Sequence, residues 1–216
     1  MKNNNDIVII DYQLGNLFSV KHACVKVGLN PIITSDKKDI LKASILILPG
    51  VGAFGDAMEN LKRLDLVSPL KDKVKMGIPL FGICLGLQLL FEESEEHGTN
   101  KGLGLIPGTV KKIPFSIENR KIKVPNTGWN TIYNKNVSEW NNSPLNSLDQ
   151  NSYMYFVHSY YAKPANANDI LTLTNYDGLE YCSSIKKDNI CAFQFHPEKS
   201  GKNGLEIYNN IKIAFQ

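Results

Sequence analysis

Three short apolar runs stand out in the first half of the chain: Ile7 to Ile10, Ile45 to Leu48 and Leu80 to Ile83. The first two end at Asp11 and Pro49 and the third runs into Cys84 between Gly82 and Gly86, and each is followed by apolar positions three and four residues apart. Runs of that length between turn formers predict buried strands, and the wider spacing predicts helices. The helices fall on Asn16 to Val27, with Leu17, Val20, Cys24 and Val27 on one side; on Asp56 to Leu64, with Ala57, Leu61 and Leu64; and on Leu85 to Phe91. Three such alternations predict a parallel sheet with helices on its faces.

The second half changes character. Val110 to Ile113, Tyr153 to Val157, Ile170 to Thr174, Tyr181 to Ile185 and Ile190 to Phe195 are apolar runs separated by turn formers. They predict hairpin-like strands added antiparallel to the sheet. Residues 134–151 are polar and predict a surface excursion around a short helix. Gly204 to Phe215 predicts a closing helix with Leu205, Tyr208, Ile211 and Phe215 on one side. The expected fold is α/β and three-layered: a mainly parallel open sheet flanked by helices, with antiparallel additions. With no repeat or linker, residues 1–216 read as one domain.

Composition narrows the function classes. Of 216 residues, 43% are hydrophobic and 21% charged, which argues against a disordered, collagen-like or disulfide-scaffold protein. The net charge of +3 is too mild and dispersed for a nucleic-acid binder. Cys24, Cys84, Cys182 and Cys191 form no C-x-x-C pair and fit no zinc spacing, so no metal is expected. The apolar run near the N-terminus stops at Asp11, and no segment reaches the roughly 20 residues of a membrane span. A cytoplasmic protein with reduced thiols is expected.

Chemistry concentrates in Gly82-Ile-Cys84-Leu-Gly86, set between a strand and a helix. G-x-nucleophile-x-G is the elbow pattern, in which a strained turn presents the nucleophile at the sheet edge and glycines relieve collisions two residues to either side. The following helix would offer backbone N–H groups and favour a thiolate. The other three cysteines read as buried structural thiols. Of the histidines, His22 in the first helix and His97 in an acidic loop read as bland. His196 ends an apolar strand at Pro197, on the same expected edge as Cys84, and Glu198 can turn back to orient its ring. Gly50-Val-Gly52-Ala-Phe-Gly55 spells G-x-G-x-x-G, but it follows the second strand, Pro49 interrupts the turn and the expected acid is missing; a dinucleotide site is rejected.

The elbow with His196-Pro-Glu198 resembles the class I glutamine amidotransferases. Further matching stretches are Asp11-Tyr12 with Gly15-Asn16-Leu17, Leu48 to Phe54, Tyr155 to Tyr161 and Gln194 to Gly201. They resemble the branch of glutaminase subunits that pass ammonia to a separate (β/α)8-barrel cyclase in histidine biosynthesis. The resemblance implies that Cys84, His196 and Glu198 are catalytic. It places the oxyanion hole at Leu85 and the Val51-Gly52 loop, and glutamine contacts at Gly50, Gly86, Gln88, Ser159 and Tyr160. It puts Asn16, Trp129, Asn130 and Lys199 at the partner interface, and it implies no cofactor.

Two departures bear on the partner. The family usually has Gly where Gln13 stands, and His-Met or similar where Asn126-Thr127 stands. Both positions are expected on the partner face, away from the triad. They leave open a paralogue that feeds a sugar amidotransferase of surface-polysaccharide synthesis. A non-catalytic subunit and a cysteine peptidase or γ-glutamyl hydrolase are the rivals from other classes. Only 18 residues follow Glu198, from which the acceptor-binding half is expected on another chain.

Overall fold

The computed structural model describes residues 7–134 and 137–211. The strands are β1 (Ile7–Ile10), β2 (Ile32–Thr34), β3 (Ile45–Gly50), β4 (Leu80–Cys84), β5 (Phe91–Ser94), β6 (Asn100–Lys101), β7 (Ile106–Lys112), β8 (Ser116–Ile117), β9 (Arg120–Lys121), β10 (Asn126–Ile132), β11 (Ser152–His158), β12 (Tyr160–Pro164), β13 (Ile170–Tyr176), β14 (Leu179–Lys187) and β15 (Ile190–Phe193). The helices are α1 (Leu17–Lys26), α2 (Lys37–Lys42), α3 (Phe54–Arg63), α4 (Val67–Lys75), α5 (Leu85–Leu89) and α6 (Gly201–Asn210).

The main sheet runs β2-β1-β3-β4-β15-β14-β12-β7-β5-β6, with β13 beside β14. β1 to β4 pair in parallel, as their uninterrupted apolar runs require. Alternate residues of one strand enter opposite cores. Val8, Ile10, Leu46 and Leu48 pack with Ile40, Leu61 and Leu70 from α2, α3 and α4. Ile7, Ile9, Ile45 and Ile47 pack with Val20 and Cys24 of α1 and Ile207 and Tyr208 of α6. This gives the expected three layers.

Several elements differ from expectation for identifiable reasons. α2 has one buried side chain, Ile40, so no periodicity announces it; Asp36 caps it by accepting the Lys38 N–H at 2.8 Å. α4 contains Pro69, which reads as a breaker but sits in the first turn, where its missing N–H costs nothing. α5 stops at Leu89 because the Leu89 and Leu90 carbonyls accept from Leu103 and Leu105. β15 is the important correction: it is antiparallel to β14 but parallel to β4. β10 and β11 form a separate antiparallel pair that extends the α1–α6 layer through Ile132, Met154 and Phe156. The segment after residue 136 is more than a surface excursion, since Trp140 and Leu145 are buried in the same core. Phe215 lies outside the described residues.

Candidate active site

β4 is flanked by two parallel neighbours, so three strand ends open at one edge. The register sets Gly50 of β3 beside Cys84, and Phe193 of β15 beside Ile83. Three residues beyond Phe193 the chain reaches His196. Had β15 run against β4, the imidazole would lie at the opposite edge. The direction of this one strand therefore assembles the site.

Cys84 occupies φ 55°, ψ −109°, a strained conformation for a residue with a side chain. The elbow glycines are explained by space. A Cβ on Gly86 would stand 1.8 Å from the Leu48 carbonyl oxygen, and one on Gly82 would meet the Ala192 Cβ at 2.9 Å. The helix after the elbow is only five residues long, so its dipole is slight and His196 is the main charge facing the sulfur. The thiol lies 3.8 Å from the Val157 carbonyl and accepts from the Gln194 amide at 3.8 Å.

His196 Nδ1 bonds Glu198 Oε1 at 2.7 Å, with both side chains almost fully buried. Burial alone would disfavour the charged ring. Cys84 and then Glu198 more than offset it, and the imidazole pKa is raised to about 10. Nε2 is buried and has no hydrogen-bond partner among the described residues. The ring thus has one nitrogen held by the carboxylate and one free, and it lines the same cavity as Cys84. Catalytic hydrogen bonds often close only when substrate arrives. Cys24 is raised to about 12 by burial, and burial pushes Cys182 and Cys191 higher still; these are inert thiols.

The cavity, about 360 Å³, is lined by Val51, Gly52, Leu85, Gln88, Ser159 and Tyr160 as well as Cys84 and His196. Gly50 and Gly86 do not line it. Both are buried behind the wall, where their lack of a side chain lets β3 and α5 close on each other. Gln88 donates to the Tyr160 carbonyl at 2.8 Å and to Gln194 Oε1 at 3.1 Å. Besides Pro125 and Val157, two lining residues with titratable side chains were not picked out from sequence. Glu96 sits in a run of acids that pattern cannot tell apart, but its Oε2 accepts the Phe54 N–H at 2.7 Å and its carboxylate faces the cavity. His158 sits inside a recognised stretch without any role assigned to it.

On the outer surface, Trp129 is 53% exposed and makes an edge contact with Tyr155, over whose ring Lys199 Nζ lies at 5.9 Å. Asn130 is half-buried and, by the alternation of β10, lies on the face opposite Trp129, while Asn16 occupies the N-cap position of α1 without a side-chain capping bond. Gln13 has φ 69°, which explains the family's usual Gly; its own N–H is held by Asp11 Oδ1 at 2.8 Å and Arg63 donates to its side chain. Asn126 contradicts its assignment to the partner face. Alternation along β10 turns Thr127 and Trp129 outward and Asn126 inward, where it is fully buried against His158 and Tyr181.

Fold and site together set a cysteine and a glutamate-held histidine at one sheet edge, an arrangement able to hydrolyse an amide. Residues 8–214 match the family Glutamine amidotransferase class-I, and the chain belongs to that family. Its relatives narrow the group. The chain is 47% identical over 206 residues to the Imidazole glycerol phosphate synthase subunit HisH of Aquifex aeolicus, covering 95% of each chain. It is 45% identical to the subunit of the same name from Sulfurimonas denitrificans, covering 95% and 96%. Among solved structures, that of PurLQS from Thermotoga maritima superposes with a TM-score of 0.73 over 98% of this chain and 99% of that one, at 17% identity. At that identity the likeness concerns the fold.

Proposed function

We propose that Cys84, His196 and Glu198 carry out the glutamine hydrolysis of this chain, a glutaminase subunit of imidazole glycerol phosphate synthase that serves histidine biosynthesis together with a partner subunit. One observation carries the reading: a strained cysteine, a histidine held by a buried carboxylate and an acid all face one cavity at one sheet edge.

Cys84 attacks the side-chain amide of glutamine. The oxyanion is met by the Leu85 N–H and by a second N–H from the Val51-Gly52 loop. His196, raised to about 10, already carries the proton that the departing ammonia needs. Having passed that proton to the leaving nitrogen, the ring is neutral and its Nε2 can accept. It can then take a proton from water, which attacks the thioester and releases glutamate. Glu198 keeps Nδ1 protonated and Nε2 facing the reaction throughout. The free oxygen of Glu96 suits the α-ammonium of glutamine, and Gln88 with the Ser159 and Tyr160 backbone suits the rest.

Ammonia is useful only while unprotonated, so it leaves through an enclosed passage to a docked subunit of (β/α)8-barrel type. Trp129, Lys199, Asn130 and Asn16 form the docking face, and residues 1–216 act as one glutaminase unit in the cytoplasm. Among the described residues no helix is long and apolar enough to cross a membrane. Of the two departures behind the sugar-aminating reading, only Gln13 and Thr127 remain exposed, because Asn126 points inward. The test is Cys84→Ala in the complex: glutamine-driven synthesis should vanish while synthesis from ammonium salts persists. Equal loss of both would overturn the division of labour.

A further inference from the structure

Behind the glutamine cavity lies a file of buried polar groups that the hydrolysis above does not use. The register of β10 and β11 sets Asn126 directly opposite His158, and both side chains turn inward. His158 Nδ1 lies 2.9 Å from the Tyr160 carbonyl, and Nε2 lies 3.0 Å from the Tyr181 hydroxyl and 3.3 Å from Asn126 Nδ2. Only a ring with its proton on Nδ1 satisfies this set, since the carbonyl can only accept. Nε2 is then an acceptor, and Asn126 Nδ2 also donates to Tyr181 at 3.0 Å. Asn126 Oδ1 in turn accepts from Asn130 at 3.0 Å.

The donors all point one way, from Asn130 to Asn126, Tyr181, His158 and the Tyr160 carbonyl. That carbonyl is also the acceptor for Gln88, at 2.8 Å. Gln88 donates onward to Gln194, whose amide reaches the Cys84 sulfur. The Tyr160 carbonyl is thus the joint between the buried file and the glutamine wall. Burial, with the charge of nearby His196 adding to it, lowers the His158 pKa to about 4, so the ring keeps this single tautomer at neutral pH. An arrangement with one tautomer and a fixed donor direction is rigid, which a wall that orients a small polar substrate requires. The file begins on β10, the strand that carries exposed Trp129.

We propose that Asn126 and Tyr181 act through His158 as positioning residues for glutamine, fixing the Tyr160 carbonyl and, through it, Gln88. The inference rests on the glutaminase reading. It concerns where glutamine sits, not the bond-breaking step, so it touches KM before kcat.

The experiment uses the complete complex with its synthase subunit. Tyr181→Phe removes one oxygen and keeps the ring; Asn126→Leu removes the amide. Each should raise KM for glutamine about tenfold, as the loss of one buried hydrogen bond implies. The ammonium-driven rate should stay unchanged. A double-mutant cycle of Tyr181→Phe with Gln88→Ala should be strongly non-additive, because both substitutions release the same carbonyl. A purely structural role would lower the melting temperature, leave KM alone and give additive effects, and that result overturns the inference. If Asn126→Leu does not fold, Tyr181→Phe decides. Absence of Cys84-dependent glutamine hydrolysis in the unsubstituted complex would remove the glutaminase reading itself; normal hydrolysis with unchanged KM in Tyr181→Phe would remove this inference alone.

Discussion

His196 and His158 line the same cavity, and both are nearly inaccessible to solvent. Burial alone would drive either ring to its neutral form. His196 is held cationic because a carboxylate grips one nitrogen and a thiol faces the other. His158 is held neutral first by burial; its carbonyl, phenol and amide contacts bring no anion to offset that, and the charge of nearby His196 adds to it. The elbow side of the cavity is therefore built from charge and strain, the β10–β11 side from satisfied neutral hydrogen bonds. Burial pushes both rings toward the neutral form; whether a facing charge offsets it decides the outcome.

The strongest way to break the elbow side is through space. Gly86→Ala places a methyl where the Leu48 carbonyl already stands, 1.8 Å away, and backbone cannot swing aside as a side chain can. The expected loss is about 4 kcal/mol or more in urea unfolding. A mild loss would mean that β3 and α5 are less tightly joined than they stand. Next comes charge. Glu198→Gln leaves the shape but removes the grip on His196 and permits the wrong tautomer. The glutamine-driven kcat should fall about a hundredfold or more, by analogy with other triads, while ammonium-driven synthesis holds. An unchanged kcat would remove Glu198 from the mechanism.

The two histidines should also answer pH in opposite directions. His158 is depressed to about 4, so its contribution is complete above the ordinary value of 6.5 and is lost as pH falls toward 4. The loss amounts to about 3 kcal/mol if the ring is to charge in place. His196 is raised, so its contribution is complete below 6.5 and fades as pH climbs toward 10. Urea unfolding across pH 4 to 7 should show an acid-side drop in the wild type that His158→Gln flattens. If the variant keeps the full drop, the acid sensitivity belongs to other groups.

This contrast also accounts for what could be read from sequence. The elbow announces itself because it is local: strand, glycine, nucleophile and glycine lie within a few residues, and their physical demands are written side by side. His196 and Glu198 are two residues apart, so their pairing is local too. The direction of β15 was not legible, because the run Ile190 to Phe195 looks the same parallel or antiparallel. The His158 wall is mostly non-local: Tyr160 is two residues away, but Asn126 and Tyr181 come from β10 and β14. Asn126 was misplaced because adjacent strand residues face opposite ways, and Asn126-Thr127 was treated as one surface unit. Glu96 was hidden by three similar acids around it, and only the packing of the loop against Phe54 singles it out.

The smallest effect probes a buried phenol on the elbow side that lacks a hydrogen-bond partner, as His196 Nε2 and Glu198 Oε2 also do among the described residues. Tyr12 is fully buried, and its hydroxyl has no hydrogen-bond partner among the described residues. That oxygen lies against Gly50, 2.2 Å from where a Cβ would be, behind the loop that carries Val51 and Gly52. Burial, with Cys84 nearby, pushes the phenol well above its ordinary pKa, so it stays protonated and cannot serve as an acid or base. A buried hydroxyl without a partner forfeits its hydration and gains nothing in return. Tyr12→Phe keeps the ring that fills the core and discards only that oxygen. It should therefore stabilise the chain by about 1 kcal/mol and raise the melting temperature by about 2–4 °C. The corresponding removal on the other side, Tyr181→Phe, takes away a bonded oxygen and should lower it. The pair of melting curves thus reads the difference between the two walls with the same single-atom change. A fall in both would mean that the Tyr12 hydroxyl does find a partner in the folded protein, and that the two sides of the cavity are satisfied alike.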